Sequence, residues 1–131
     1  MERDADIYLA KAAQRLLTAE SDFDHGRYNR CANRCYYACF QAAIAAMLRE
    51  GIRSSNDQWP HTFAQSVFVR QLVNRRHRYP SALRDTMGEL QLPRQRTDYE
   101  TDWITRAEAN RGLRRCREFV ATIQQTGGER R

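Results

Sequence analysis

Lysine is almost missing from this chain: Lys11 stands beside 21 arginines. A skew of that kind also follows from nucleotide composition, so the basic total alone does not mark a phosphate-binding protein. Glycine and proline are scarce, at six and three. That leaves few of the turn residues a many-stranded fold needs and points to helices. An acidic excess is lacking too. The chain has 16 acidic against 22 basic residues, a net charge of +6 with 41% hydrophobic residues, which excludes an acidic disordered tail. Long apolar runs are absent. The longest, Cys35 to Leu48, has fourteen residues including polar Gln41, short of the roughly 18–20 that cross a bilayer. It reads as a buried core helix, and no membrane association is expected. Met1-Glu2-Arg3-Asp4-Ala5-Asp6 has no apolar signal-peptide region, so a cytoplasmic location with reduced cysteines is expected. No glycine-rich phosphate loop, paired metal-binding carboxylates or nucleophile elbow occurs, so no cofactor or metal is expected.

What is present is helical periodicity within one domain, residues 1–126, followed by a flexible tail at 127–131. A first helix is expected from about Asp4 to Glu20, with Ile7, Ala10, Ala13 and Leu17 as its apolar stripe. A second runs from about Arg27 to Glu50 and stops at Gly51, suited to a left-handed position. A third spans roughly Thr62 to Asn74, with Phe63, Val67 and Phe68 inward. A fourth opens near Pro80 and Ser81 and passes Leu83, Met87 and Leu90. Pro93 either ends it at Leu92 or bends it before it resumes through Tyr99. The last starts at Thr105-Arg106-Ala107-Glu108, a capping box, and buries Ala109, Leu113, Cys116, Val120 and Ile123. The fold class is all-α, an up-and-down bundle of four to five helices.

Positive charge rises along the chain. Residues 1–51 carry seven basic and seven acidic groups, residues 52–102 eight and six, residues 103–131 seven and three. The densest clusters are Arg70 to Arg78 and Arg111 to Arg117. Such clusters can hold nucleic-acid phosphates, or can simply be solvated faces. Arg34 sits at the margin of the apolar second helix and needs a carboxylate or carbonyl partner. Cys31, Cys35 and Cys39 share one helix face. Their outer members stand roughly 12 Å apart along the axis, too far for one zinc ion with Zn–S bonds of about 2.3 Å, so they read as core. His61, before the third helix, is the best placed of three histidines to line a site.

The segment Gly26-Arg27-Tyr28 followed by Asn33-Arg34-Cys35-Tyr36-Tyr37-Ala38, together with His61 and Arg94-Gln95-Arg96-Thr97-Asp98-Tyr99, resembles the HEPN domain family, most closely its small single-domain bacterial branch. The resemblance extends from about Ala5 to Ile123. It implies a helical bundle, often a homodimer, linked to RNA. Some members are toxins paired with a nucleotidyltransferase antitoxin. Many are metal-independent endoribonucleases with an Arg-x4–6-His motif, in which arginine steadies the phosphate and histidine moves the 2′-hydroxyl proton. Here the window after Arg94 holds Tyr99, Glu100 and Thr101 and no histidine. Tyrosine, with a reference pKa of about 10, is a poor base near neutrality. The spacing of Arg70 to His77 fits the motif, but a chain this rich in arginine yields such a match by chance.

The resemblance therefore implies a domain binding RNA or a nucleotide, with weak or no catalysis, at a cleft lined by Arg34, His61, Arg94, Arg96 and Tyr99. Arg94, Asp98 and Tyr99 are the candidates for any chemistry. Two other readings remain: an active ribonuclease toxin using the same cleft, and a protein-interaction module for a nucleotidyltransferase partner.

Overall fold

A computed structural model describes residues 2–54, 58–97 and 103–129. It is 81% helical, with no strand among the described residues. The helices are α1 (Glu2–Asp24), α2 (Tyr28–Arg49), α3 (His61–Val67), α4 (Thr86–Arg96) and α5 (Arg106–Glu129). The backbone stays helical through Glu129, beyond the start of the expected tail at 127–131; residues 130 and 131 lie outside the described residues.

α2 is the central rod and packs against α1, α3, α4 and α5. Its apolar, small-residue sequence explains why. Cys31, Cys35, Tyr36, Ala38, Cys39 and Met47 are fully buried, as are the alanines between Ala42 and Ala46. A three-residue turn joins α1 to α2, and Gly26 takes the left-handed φ of 74° that closes it. The two helices are therefore antiparallel, and Asp6 near the start of α1 meets Arg49 at the end of α2. α5 runs parallel to α2. The Ile104 amide just before it donates to Asn29 Oδ1 at 2.8 Å, and Arg49 donates to the Ile123 carbonyl at 3.4 Å.

The α1 stripe corrects the sequence expectation. Ile7 and Leu17 are exposed at 46% and 62%, and the buried set is Ala5, Ala12 and Ala19, spaced by seven. Alanine against an alanine-rich partner lets two helices approach closely, and that contact outweighs the larger side chains on the neighbouring face. Phe63 is also exposed, against expectation, whereas Val67 and Phe68 are buried.

α3 continues without a break into a wider helical turn, Phe68–Arg75, closed by the Arg76 amide on the Gln71 carbonyl five residues back. His77 then turns the chain with a φ of 53°, uncommon for a non-glycine residue. A short 3₁₀ turn, Ser81–Leu83, leads into α4. Pro93 lies within α4, and the helix continues past it to Arg96. At the α5 start the capping box forms as the sequence predicts: the Glu108 amide donates to Thr105 Oγ1 at 3.1 Å, and the Thr105 amide to Glu108 Oε1 at 3.0 Å. All five expected stripe residues of α5 are buried, with Phe119 added.

Candidate functional site

Four of the eight arginines in the two basic clusters are paired with carboxylates of other elements. Arg76 and Arg78 both meet Glu50, Arg115 meets Glu89, and Arg117 meets Glu20. These contacts tie helix ends together. Exposed ion pairs of this type contribute little each, about 0–1 kcal/mol.

Arg34 and Arg96 have similar roles. Asp22, 3% exposed at the end of α1, accepts from Arg34 Nε at 2.8 Å and Arg27 Nε at 2.9 Å. Burial alone would raise the Asp22 pKa, but the two guanidiniums outweigh it and hold it below 3.8. Arg34 thus joins α2 to α1 through the carboxylate its position requires. Arg96 pairs with Glu108 of the capping box and donates to the Trp103 carbonyl at 3.0 Å. It fastens the end of α4 to the start of α5. Asp98 and Tyr99 lie outside the described residues.

Arg94 and His61, distant in sequence, come together over the aromatic face of α2. Arg94 follows Pro93 in the last turn of α4. Its guanidinium carbon lies 4.9 Å from the Tyr36 ring centroid and 5.9 Å from that of Tyr37. His61, the first residue of α3, stacks on Phe40 at 4.5 Å and on Tyr36 at 5.3 Å. Its Nδ1 shares a hydrogen bond of 2.7 Å with the Tyr36 hydroxyl. α1 supplies Arg15, which lies 5.3 Å from the Tyr37 ring centroid and donates to Gln41 Oε1 at 2.9 Å. Tyr37 thus contacts a guanidinium from α1 and another from α4.

The electrostatics follow from this placement. Arg94 has no carboxylate partner among the described residues, and its buried Nε has no acceptor. Among the described residues it is the aromatic rings, not a counter-charge, that hold the guanidinium. Burial, and secondly Arg94, lower the His61 pKa below 6.5, so the imidazole is neutral near pH 7. Burial raises the Tyr36 phenol above 10.0, an effect Arg94 partly offsets. One turn beyond Arg94, Thr97 lines a recess of about 270 Å³ with Asn29, Arg30, Asn33 and Arg34 of α2. Sequence reasoning puts Tyr36, Tyr37 and Phe40 in the core and misses them as the platform of the site. The available signal is a pair of adjacent tyrosines on an otherwise small-residue helix.

The three thiols of α2 and Cys116 are buried, and contacts among the thiols, with burial second, raise Cys31, Cys35 and Cys116 well above the ordinary thiol range. They are inert core groups. No group of three or more metal-ligating side chains occurs among the described residues, and no described helix is long and apolar enough to cross a membrane.

The HEPN domain family model matches residues 5–126, and the chain belongs to that family. Its fold is similar to that of the protein TT1696 from Thermus thermophilus, with a TM-score of 0.77 at 20% identity. The match covers 96% of this chain and 99% of that one. No curated protein matches the chain.

Proposed function

We propose that this HEPN domain binds RNA or a nucleotide by its phosphate at Arg94, with His61 beside the bound group and with weak or no catalysis. One observation carries the reading: Arg94 is held by tyrosine rings and is not neutralised by a carboxylate among the described residues. A guanidinium so placed keeps its charge and its planar donor fork for an external anion, and phosphate matches that fork. Arg15, bonded to a neutral amide, adds positive potential beside Tyr37. The adjoining recess gives the rest of the ligand a place to lie.

A second reading, a metal-independent endoribonuclease, draws support from the neutral imidazole next to Arg94. In it Arg94 steadies the charge developing on the scissile phosphate, and His61 moves the 2′-hydroxyl proton. His61 would then have to work through Nε2 alone, because Nδ1 is taken up by Tyr36.

Fluorescence anisotropy with labelled single-stranded RNA tests both readings. Affinity should fall as salt rises from about 50 to 200 mM. Arg94→Gln should weaken binding by about ten-fold or more, the usual loss for a hydrogen bond to a charged group. RNA incubated with the protein in EDTA should remain intact. Cleavage in EDTA that Arg94→Gln abolishes would establish the second reading. Equal affinity for wild type and Arg94→Gln, with no cleavage that depends on Arg94, would remove both.

A further inference from the structure

The recess at Thr97, one turn beyond Arg94, does not end at Arg30. Asn29 and Arg30 also line a second recess, of about 340 Å³, that continues around the start of α2 to Tyr28, Trp103 and Ile104. The shared residues make the two recesses one groove along α2. Trp103 stands at its far end, 73% exposed, the most exposed of the large apolar side chains there. Its backbone is anchored, since Arg96 holds its carbonyl and the next amide, Ile104, is bonded to Asn29. An indole on a fixed backbone and open to solvent is a stacking surface that costs little to order.

Among the described residues, the charge between the two ends suits one occupant. Arg30 is exposed midway and has no carboxylate partner among the described residues. Arg106 lies 4.9 Å from the Phe23 ring centroid and donates to the Tyr28 hydroxyl at 3.4 Å, adding a second positive group beside Trp103. Cations along a groove with aromatic side chains at one end are the pattern that takes a single strand: backbone on the charges, bases on the rings.

We propose that Trp103 is a base-stacking subsite, and that the ligand of this groove is a single-stranded oligonucleotide with a phosphate at Arg94 and a base several positions away on the indole. This rests on the phosphate reading of Arg94 and extends it from a mononucleotide to a strand. The subsite is reached only by a ligand long enough to span the groove, so its contribution depends on length.

The test measures affinity for a single-stranded RNA dinucleotide and hexanucleotide with wild type, Trp103→Ala, Trp103→Phe and Arg94→Gln. Wild type should bind the hexanucleotide about 5- to 100-fold more tightly than the dinucleotide, the range of one stacked base. Trp103→Ala should lose that gain, and Trp103→Phe should recover most of it. Fluorescence of Trp103, read in a Trp59→Phe background, should be quenched by the hexanucleotide. If Trp103→Ala keeps the full gain with length while Arg94→Gln loses affinity, the subsite is wrong and the Arg94 reading stands. If Trp103→Ala leaves RNA affinity intact and turns a dimer into a monomer, the indole is a subunit contact and the subsite is wrong. If wild type binds neither RNA in a salt-dependent way, the phosphate reading fails and the subsite with it.

Discussion

The Tyr36 hydroxyl and His61 Nδ1 lie 2.7 Å apart, and through this bond the fully buried tyrosine of the central helix fixes the imidazole at the mouth of the site. Ring stacking at 5.3 Å holds the same pair face to face. Tyr36 on α2 therefore sets both the tilt of His61 and the height of Arg94. Tyr36→Phe keeps the ring and removes the bond. It should lower stability by about 1 kcal/mol, measured by urea unfolding. It should also weaken RNA binding less than Arg94→Gln does, because the guanidinium still has its aromatic support.

His61 should titrate below 6.5 in the folded protein, as read from its ring-proton shifts by NMR. The unfolded chain then binds a proton that the native state refuses, so stability is full above pH 6.5 and declines as pH falls through 6.5 toward the folded value. Arg94→Gln removes the second cause of the shift and leaves the first, burial. The His61 pKa should rise in that variant and still remain below 6.5. A value unchanged from wild type would mean that Arg94 exerts no field on the imidazole.

What is legible in the sequence is local. The capping box at Thr105 and Glu108 and the left-handed Gly51 can be read because each depends on a few consecutive residues. The α5 stripe and the run Leu83, Met87 and Leu90 are legible because most of their buried residues are large and regularly spaced. The α1 stripe is not, because alanine carries little weight in a periodicity reading and its value there lies in the close approach to α2. Arg96 reads as a ligand contact in the sequence, and its pairing with Glu108 twelve residues on cannot be seen without the turn of chain between them. Arg34 is legible as a group needing a carboxylate; that the carboxylate is Asp22, across the α1–α2 turn, emerges only in three dimensions. His61 and Arg94 are both candidates from sequence. Their meeting over Tyr36 depends on α3 and α4 packing against the same face of α2.

Asp22 should set the acid limit of the fold. Its carboxyl is held below 3.8 by Arg27 and Arg34 against the opposing effect of burial. A depressed carboxylate contributes stability that is present above the unfolded value and is lost as pH drops below 3.8 toward the folded one. Asp22→Asn should flatten the stability profile in that window. At pH 7 it should cost about 1–2 kcal/mol, a modest loss because both arginines are substantially exposed and can turn to water. An acid limb identical to that of wild type would show that other carboxylates govern it.

Arg96 and Glu108 should prove coupled. Glu108 does two things at once: it accepts from the Thr105 amide to close the capping box, and it pairs with the guanidinium at the end of α4. Hydrogen bonds from Thr105 outweigh burial and, with Arg96, keep the Glu108 carboxyl below 4.5. Thr105→Ala should cost about 1 kcal/mol through the cap alone. Arg96→Ala should cost less, near the value of a partly exposed ion pair. Glu108→Ala should cost more than either, since it removes both contacts. In a double-mutant cycle, Arg96 and Glu108 should show a coupling energy of about 0.5 kcal/mol or more, and the coupling should shrink in high salt. Additivity of the two variants would mean that the bond does not hold α4 to α5. The anchoring of Trp103, whose carbonyl receives the other arm of the same guanidinium, would then rest on the Ile104 amide alone.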